Sequence, residues 1–176
     1  MKKKLIVFRV IGHRKVGLGH VYRSLSLAKE LKKKYSIIFI TNLQSNLVPP
    51  VLKKFKYKLL SVNENKIIDK ISSLDPKLVI NDMLNTKVKD IKPLMKVGIN
   101  VINFEDLGCG AKYANLVINE LFDSPINKNK NTLWGYKYFF VRDEFKNCSP
   151  IKFRKKIRNV LITFGGTDHL SLSDKI

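Results

Sequence analysis

Near-continuous apolar runs, from Leu5 to Ile11 (broken only by Arg9), Ser36 to Ile40, Leu59 to Val62, Leu78 to Ile80, Val101 to Phe104 and Leu116 to Ile118, recur along the chain. Between them lie His20 to Lys34, Leu47 to Phe55, Lys66 to Leu74 and Lys87 to Val97, whose apolar positions fit the helical period. Strand and helix alternating in this way predict an α/β fold, a Rossmann-like parallel sheet with helices on both faces. Strands that are apolar at almost every position agree, because such a sheet is buried on both sides. The pattern sets the expected boundaries. Residues 1–148 form this domain, and a basic linker follows at 149–158. At 159–176 a further apolar run, Asn159 to Phe164, with Gly165-Gly166-Thr167-Asp168 reads as the opening of a truncated second nucleotide-binding domain.

The first strand runs into Gly17-Leu18-Gly19-His20-Val21-Tyr22-Arg23, a glycine loop that opens a helix. Gly17 and Gly19 allow a tight turn and close approach of a ligand, and the free N–H groups of the following helix attract an anion such as a phosphate. Two known phosphate motifs are excluded. Tyr22 stands where the dinucleotide fingerprint needs a third glycine, and no Lys followed by Ser or Thr completes a phosphate loop. His20 falls on the first helical turn, where the positive end of the helix disfavours a protonated ring and leaves it able to accept a proton. Arg23, three residues on, is a cation poorly placed for the helix dipole, which points to an anionic partner. The same residues also fit a plain glycine turn with a capping His and a solvated Arg.

In a doubly wound sheet, ligands sit beyond the carboxyl ends of the strands. The residues there are Thr41-Asn42, Asn81-Asp82, Glu105-Asp106 and Asn119-Glu120, a polar rim around the glycine loop. Asn81, Asp82, Glu105 and Asp106 are site candidates, although polar residues also cap turns at strand ends. Adjacent carboxylates usually point apart, so a structural role for the Glu105-Asp106 pair stands beside a catalytic one. The aromatic stretch from Leu133 to Arg142 reads as core or edge structure rather than a base-stacking platform.

Composition narrows the partners only partly. The net charge is +20, from 34 Lys and Arg against 14 Asp and Glu. It permits nucleic acid, a peripheral anionic membrane surface or an anionic small molecule. No nucleic-acid motif supports the first, and the scattered lysines fit a solvated surface. Two cysteines at no metal or redox spacing suggest a reducing, cytoplasmic setting, and the three histidines have no metal-ligand spacing, so no metal or other cofactor is expected.

The chain resembles the N-terminal half of nucleotide-sugar enzymes of the two-Rossmann, glycosyltransferase-B type. The pattern is that of the UDP-sugar hydrolases of pseudaminic acid biosynthesis and the related spore-coat polysaccharide proteins. The resemblance rests on Gly17 to Arg23 followed by Leu25 to Ala28, on Phe104-Glu105-Asp106 with Tyr113-Ala114, on Gly135 to Phe145, and on Phe164 to Asp168. It implies metal-independent attack of water on the anomeric carbon of a UDP-linked deoxy-amino sugar, with UDP leaving and His20 activating the water. It also implies nucleotide contacts at Gly165, Gly166 and Asp168. One departure is Asp82-Met83-Leu84, where the hydrolases tend to place a Tyr shortly after the Asp. The resemblance leaves a glycosyltransferase open, with the same His deprotonating an acceptor. A non-catalytic subunit completed in trans by a separate second domain or another copy of the chain also stays open.

Overall fold

The computed structural model describes residues 3–139, 141, 143–149, 152, 153, 155–164, 168 and 170–176. Seven strands form one sheet: β1 (Leu5–Val10), β2 (Ser36–Asn42), β3 (Lys58–Val62), β4 (Leu78–Asp82), β5 (Asn100–Phe104), β6 (Leu116–Asn119) and β7 (Thr132–Trp134). Their order is β3-β2-β1-β4-β5-β6-β7, and every neighbouring pair is parallel. Helices α1 (Gly19–Leu31), α2 (Val48–Lys54), α3 (Ile67–Ser73) and α4 (Val88–Lys96) make the crossovers, and a short α5 spans Asp143–Lys146.

Strand alternation divides the core into two layers. Ile6, Phe8, Val10, Phe39, Ile80 and Phe104 pack with Val21, Leu25 and Ala28 of α1 and with Val48 and Leu52 of α2. Val7, Ile40, Val79, Val101 and Val117 face the other way, against Ile67 and Ile71 of α3 and Ile91 and Leu94 of α4. Each fully buried aliphatic side chain contributes about 1.5–3 kcal/mol, so both faces are committed to helices. The expected architecture is therefore the observed one.

One local reading is met and one differs from the structure. The aromatic stretch after residue 131 supplies an edge strand, β7, and then a 3-10 turn at Tyr136–Tyr138. Residues 159–164, expected as a strand, form no ladder among the described residues and leave Val160 and Leu161 exposed. An apolar run becomes a strand only where a neighbour takes up its backbone groups, and the described edges of this sheet do not pair with it. Gly165, Gly166 and Thr167 of the expected glycine loop lie outside the described residues.

The chain leaves β1 in one direction toward β2 and returns to the opposite side at β4. The carboxyl ends of β1 and β4 therefore flank a switch point, the place where such sheets leave a crevice.

Candidate functional site

The loop after β1 turns at Gly17, whose φ of 76° is left-handed, and the carbonyl of His13 accepts from the N–H groups of Val16 and Gly17. A glycine takes this conformation without steric cost. Helix α1 starts at Gly19 and turns Val21, Ser24, Leu25 and Ala28 inward, a spacing that brings His20 and Arg23 over the end of β4.

There Asp82, fully buried, gathers the site. Its Oδ1 lies 2.8 Å from His20 Nδ1 and accepts from an Arg23 terminal nitrogen at 2.6 Å. Its Oδ2 accepts from Arg23 Nε at 2.9 Å and from the Ser24 hydroxyl at 3.2 Å. An ionised carboxylate only accepts, so His20 carries a hydrogen on Nδ1, and in the neutral ring Nε2 is the acceptor. Asp82 lies beneath His20 and Arg23, while His20 itself lines a cleft of about 800 Å³.

Arg23 spans the floor. Its second terminal nitrogen donates to Glu120 Oε1 at 2.9 Å and lies 3.7 Å from Glu105 Oε1, and its guanidinium sits 5.3 Å from the Phe104 ring centroid. Burial, the largest influence on this group, lowers its pKa, but the hydrogen bonds and charges of Asp82 and then Glu120 outweigh it and hold the guanidinium above its ordinary value. The anionic partners expected for Arg23 are carboxylates of the protein itself.

Glu105 follows β5 with a left-handed φ of 50°, a strained conformation for a side chain of this kind. Its Oε1 accepts from the backbone N–H groups of Glu120 at 2.7 Å and Leu121 at 3.3 Å. Burial pushes the pKa of Glu105 up, and it does the same for Glu120. The cleft walls are apolar: Leu84, Leu107, Leu121, Phe122, Phe139 and Phe145.

The sequence-derived candidates thus separate. His20, Arg23, Asp82 and Glu105 meet, Gly19 lines the same cleft, and Gly17 turns the loop that leads into α1. Asn81 and Asp106 do not join them. Asn81 points to the opposite face of β4 and donates to Asn103 Oδ1 at 2.8 Å. Asp106 is buried and accepts from Thr86 N at 2.9 Å, Thr86 Oγ1 and Asn103 Nδ2 at 2.6 Å each, and Gly108 N at 2.8 Å. The Asn81 amide nitrogen and the Asp106 carboxylate are thus taken up by protein partners. Asp168 accepts from Leu172 N at 2.9 Å and Ser173 N at 2.8 Å, closing its own turn, while Gly165 and Gly166 are outside the described residues.

Glu120 is the residue that sequence reasoning left out of the site. Its signal was present, an acidic residue directly after an apolar run, but nothing in the sequence distinguishes it from a turn former. Among the described residues no helix is long and apolar enough to cross a membrane.

No family model matches the chain. It is 31% identical to the uncharacterised protein MJ1062 of Methanocaldococcus jannaschii, over 94% of this chain and 37% of that protein. It is 24% identical to the spore coat polysaccharide biosynthesis protein SpsG of Bacillus subtilis, over 91% of this chain and 50% of that protein. Identity is also 24% to the UDP-2,4-diacetamido-2,4,6-trideoxy-beta-L-altropyranose hydrolase of Campylobacter jejuni, over 97% of this chain and 64% of the hydrolase. The chain therefore spans between about a third and two thirds of the length of these curated relatives. Among solved structures, MurG of Acinetobacter baumannii superposes with a TM-score of 0.56 at 13% identity, covering 73% of this chain and 44% of MurG, a likeness of fold alone. The chain is similar in sequence to sugar-nucleotide hydrolase and polysaccharide biosynthesis proteins, and its fold is the Rossmann-like domain of the glycosyltransferase-B type.

Proposed function

We propose that this chain is the sugar-side domain of a nucleotide-sugar hydrolase, with His20 as the base that activates water. The observation that carries the reading is the 2.8 Å contact of His20 Nδ1 with Asp82, made while the ring borders the cleft at the sheet's switch point. Asp82 fixes the tautomer and offsets the positive charge that His20 gains, and Arg23 and Ser24 hold Asp82 in place. Asp82 is thus a positioning residue.

Water bound at Nε2 gives its proton to His20 as its oxygen attacks the anomeric carbon. The bond from that carbon to the phosphate oxygen breaks, UDP departs with the electron pair, and the proton passes from His20 to solvent. Attack opposite the leaving group inverts the anomeric centre. The nucleotide is expected to be held largely by a second domain, to which Gly165, Gly166 and Asp168 belong in this reading.

The test is UDP release from UDP-linked deoxy-amino sugars, with and without N-acetyl groups, by this chain alone and with a separately expressed second domain of the relatives. His20→Ala is expected to lower release by about 100-fold or more, the scale of a lost general base. Release that appears only with an acceptor alcohol would replace hydrolysis by glycosyl transfer, and release indifferent to His20 would remove the proposed base.

A further inference from the structure

The dyad of His20 and Asp82 makes no use of Glu105 and Glu120, yet both carboxylates border the same cleft. Glu120 has a side chain only 2% exposed. Its Oε1 accepts from Arg23, but its Oε2 is buried with no hydrogen-bond partner among the described residues. A buried carboxylate oxygen left in this state costs free energy unless something else supplies a donor. Glu105 is fastened next to it through the Glu120 and Leu121 backbone and shares the same Arg23 nitrogen.

Charge makes the need more specific. Three carboxylates, Asp82, Glu105 and Glu120, share a single guanidinium. In a chain of net charge +20 the floor of this cleft carries a local surplus of negative charge, and its apolar walls leave that surplus poorly screened. A neutral amide or hydroxyl would satisfy Glu120 Oε2 but not the surplus charge. An ammonium would do both, with donors for more than one oxygen.

We propose that Glu105 and Glu120 form a subsite for a positively charged amino group of the ligand, a primary ammonium such as an unacylated amino sugar carries. The proposal rests on the reading that the cleft takes the sugar portion of the ligand, but it requires no turnover.

Three monosaccharides that differ at one ring substituent test it: D-glucosamine, N-acetyl-D-glucosamine and D-glucose. They are titrated into the isotopically labelled chain slightly below neutral pH, where the free amine is protonated, and the amide resonances of Glu120 and Leu121 are followed. Glucosamine is expected to bind about tenfold or more tightly than the other two, the scale of a charge-assisted hydrogen bond. Glu120→Gln is expected to abolish that preference while the remaining resonances stay in place, and Glu105→Gln to weaken it, which provides a second variant should the first not fold. Equal affinities, a preference for the acetylated sugar, selectivity that survives Glu120→Gln, or no shift of these amides with any of the three would each overturn the proposal. Selectivity for the amine without UDP release would retain the subsite and remove the hydrolase reading. UDP release dependent on His20 without amine selectivity would do the reverse.

Discussion

Replacing Asp82 with Asn keeps the side chain's shape and removes its charge. Asp82 accepts four hydrogen bonds, two of them from Arg23, one on each carboxylate oxygen. Whichever way the new amide turns, its NH2 group meets an Arg23 N–H head on, and at least one buried donor loses its acceptor. Breaking a buried ion pair by changing one partner costs about 3–5 kcal/mol. Arg23 keeps Glu120, 2.9 Å away, so the lower end, about 3 kcal/mol, is expected. His20→Ala is the contrast. It removes one hydrogen bond and leaves Asp82 paired with Arg23 and Ser24, a loss of about 1 kcal/mol. At about 2–4 °C per kcal/mol for a chain of this size, melting temperature should fall by about 6–12 °C for Asp82→Asn and about 2–4 °C for His20→Ala. Thermal unfolding followed by circular dichroism, checked against urea midpoints, measures both. Equal shifts in the two variants, or a loss below about 1 kcal/mol for Asp82→Asn, would refute the view that Asp82 is the buried hub on which the site is built.

Two further outcomes follow from the geometry. A Cβ at Gly108 would lie 2.2 Å from the carbonyl oxygen of Thr86, so Gly108→Ala must push apart the loops after β4 and β5 and is expected to cost about 3 kcal/mol by urea titration, the upper part of the usual overpacking range; wild-type stability would contradict the close approach. Burial raises the Glu120 pKa in the fold, so the native state binds the extra proton, and its stabilising effect, complete below the ordinary carboxylate range near 4.3, is lost as pH rises through the raised value. The stability of the wild type relative to Glu120→Gln should accordingly decline from acid toward neutral pH, and a relative stability that rises with pH would reverse the assigned direction.

The order of strands and helices was legible because burial on both faces makes each strand an almost unbroken apolar run, which needs no tertiary information to recognise. The same property hid the faces. In an amphipathic strand, alternation would have told Asn81 from Asp82. Here Leu78, Val79 and Ile80 are all apolar, and the opposite orientations of the next two residues emerge only once α1 and α4 take opposite sides of the sheet. Glu105 and Asp106 separate in the same way, one bordering the cleft and the other clamping Thr86. His20 and Arg23 were legible as a pair from their helical spacing, but Arg23's partners come from the ends of β4 and β6, positions that meet it only through the strand order. The apolar walls were the least legible part, since Leu84, Leu107, Leu121 and Phe139 come from separate connections, and in the sequence each reads as an ordinary core or loop residue.

The most direct measurement of the central claim is a double-mutant cycle on nucleotide release, with His20→Ala, Asp82→Asn and the two combined, each shown to be folded at the assay temperature. If His20 is the base and Asp82 acts through it, each single variant loses about 100-fold or more and the combined variant loses little beyond the worse of the two. Independent effects that multiply in the combined variant, or full release without His20, would contradict the claim that these two side chains act as one unit.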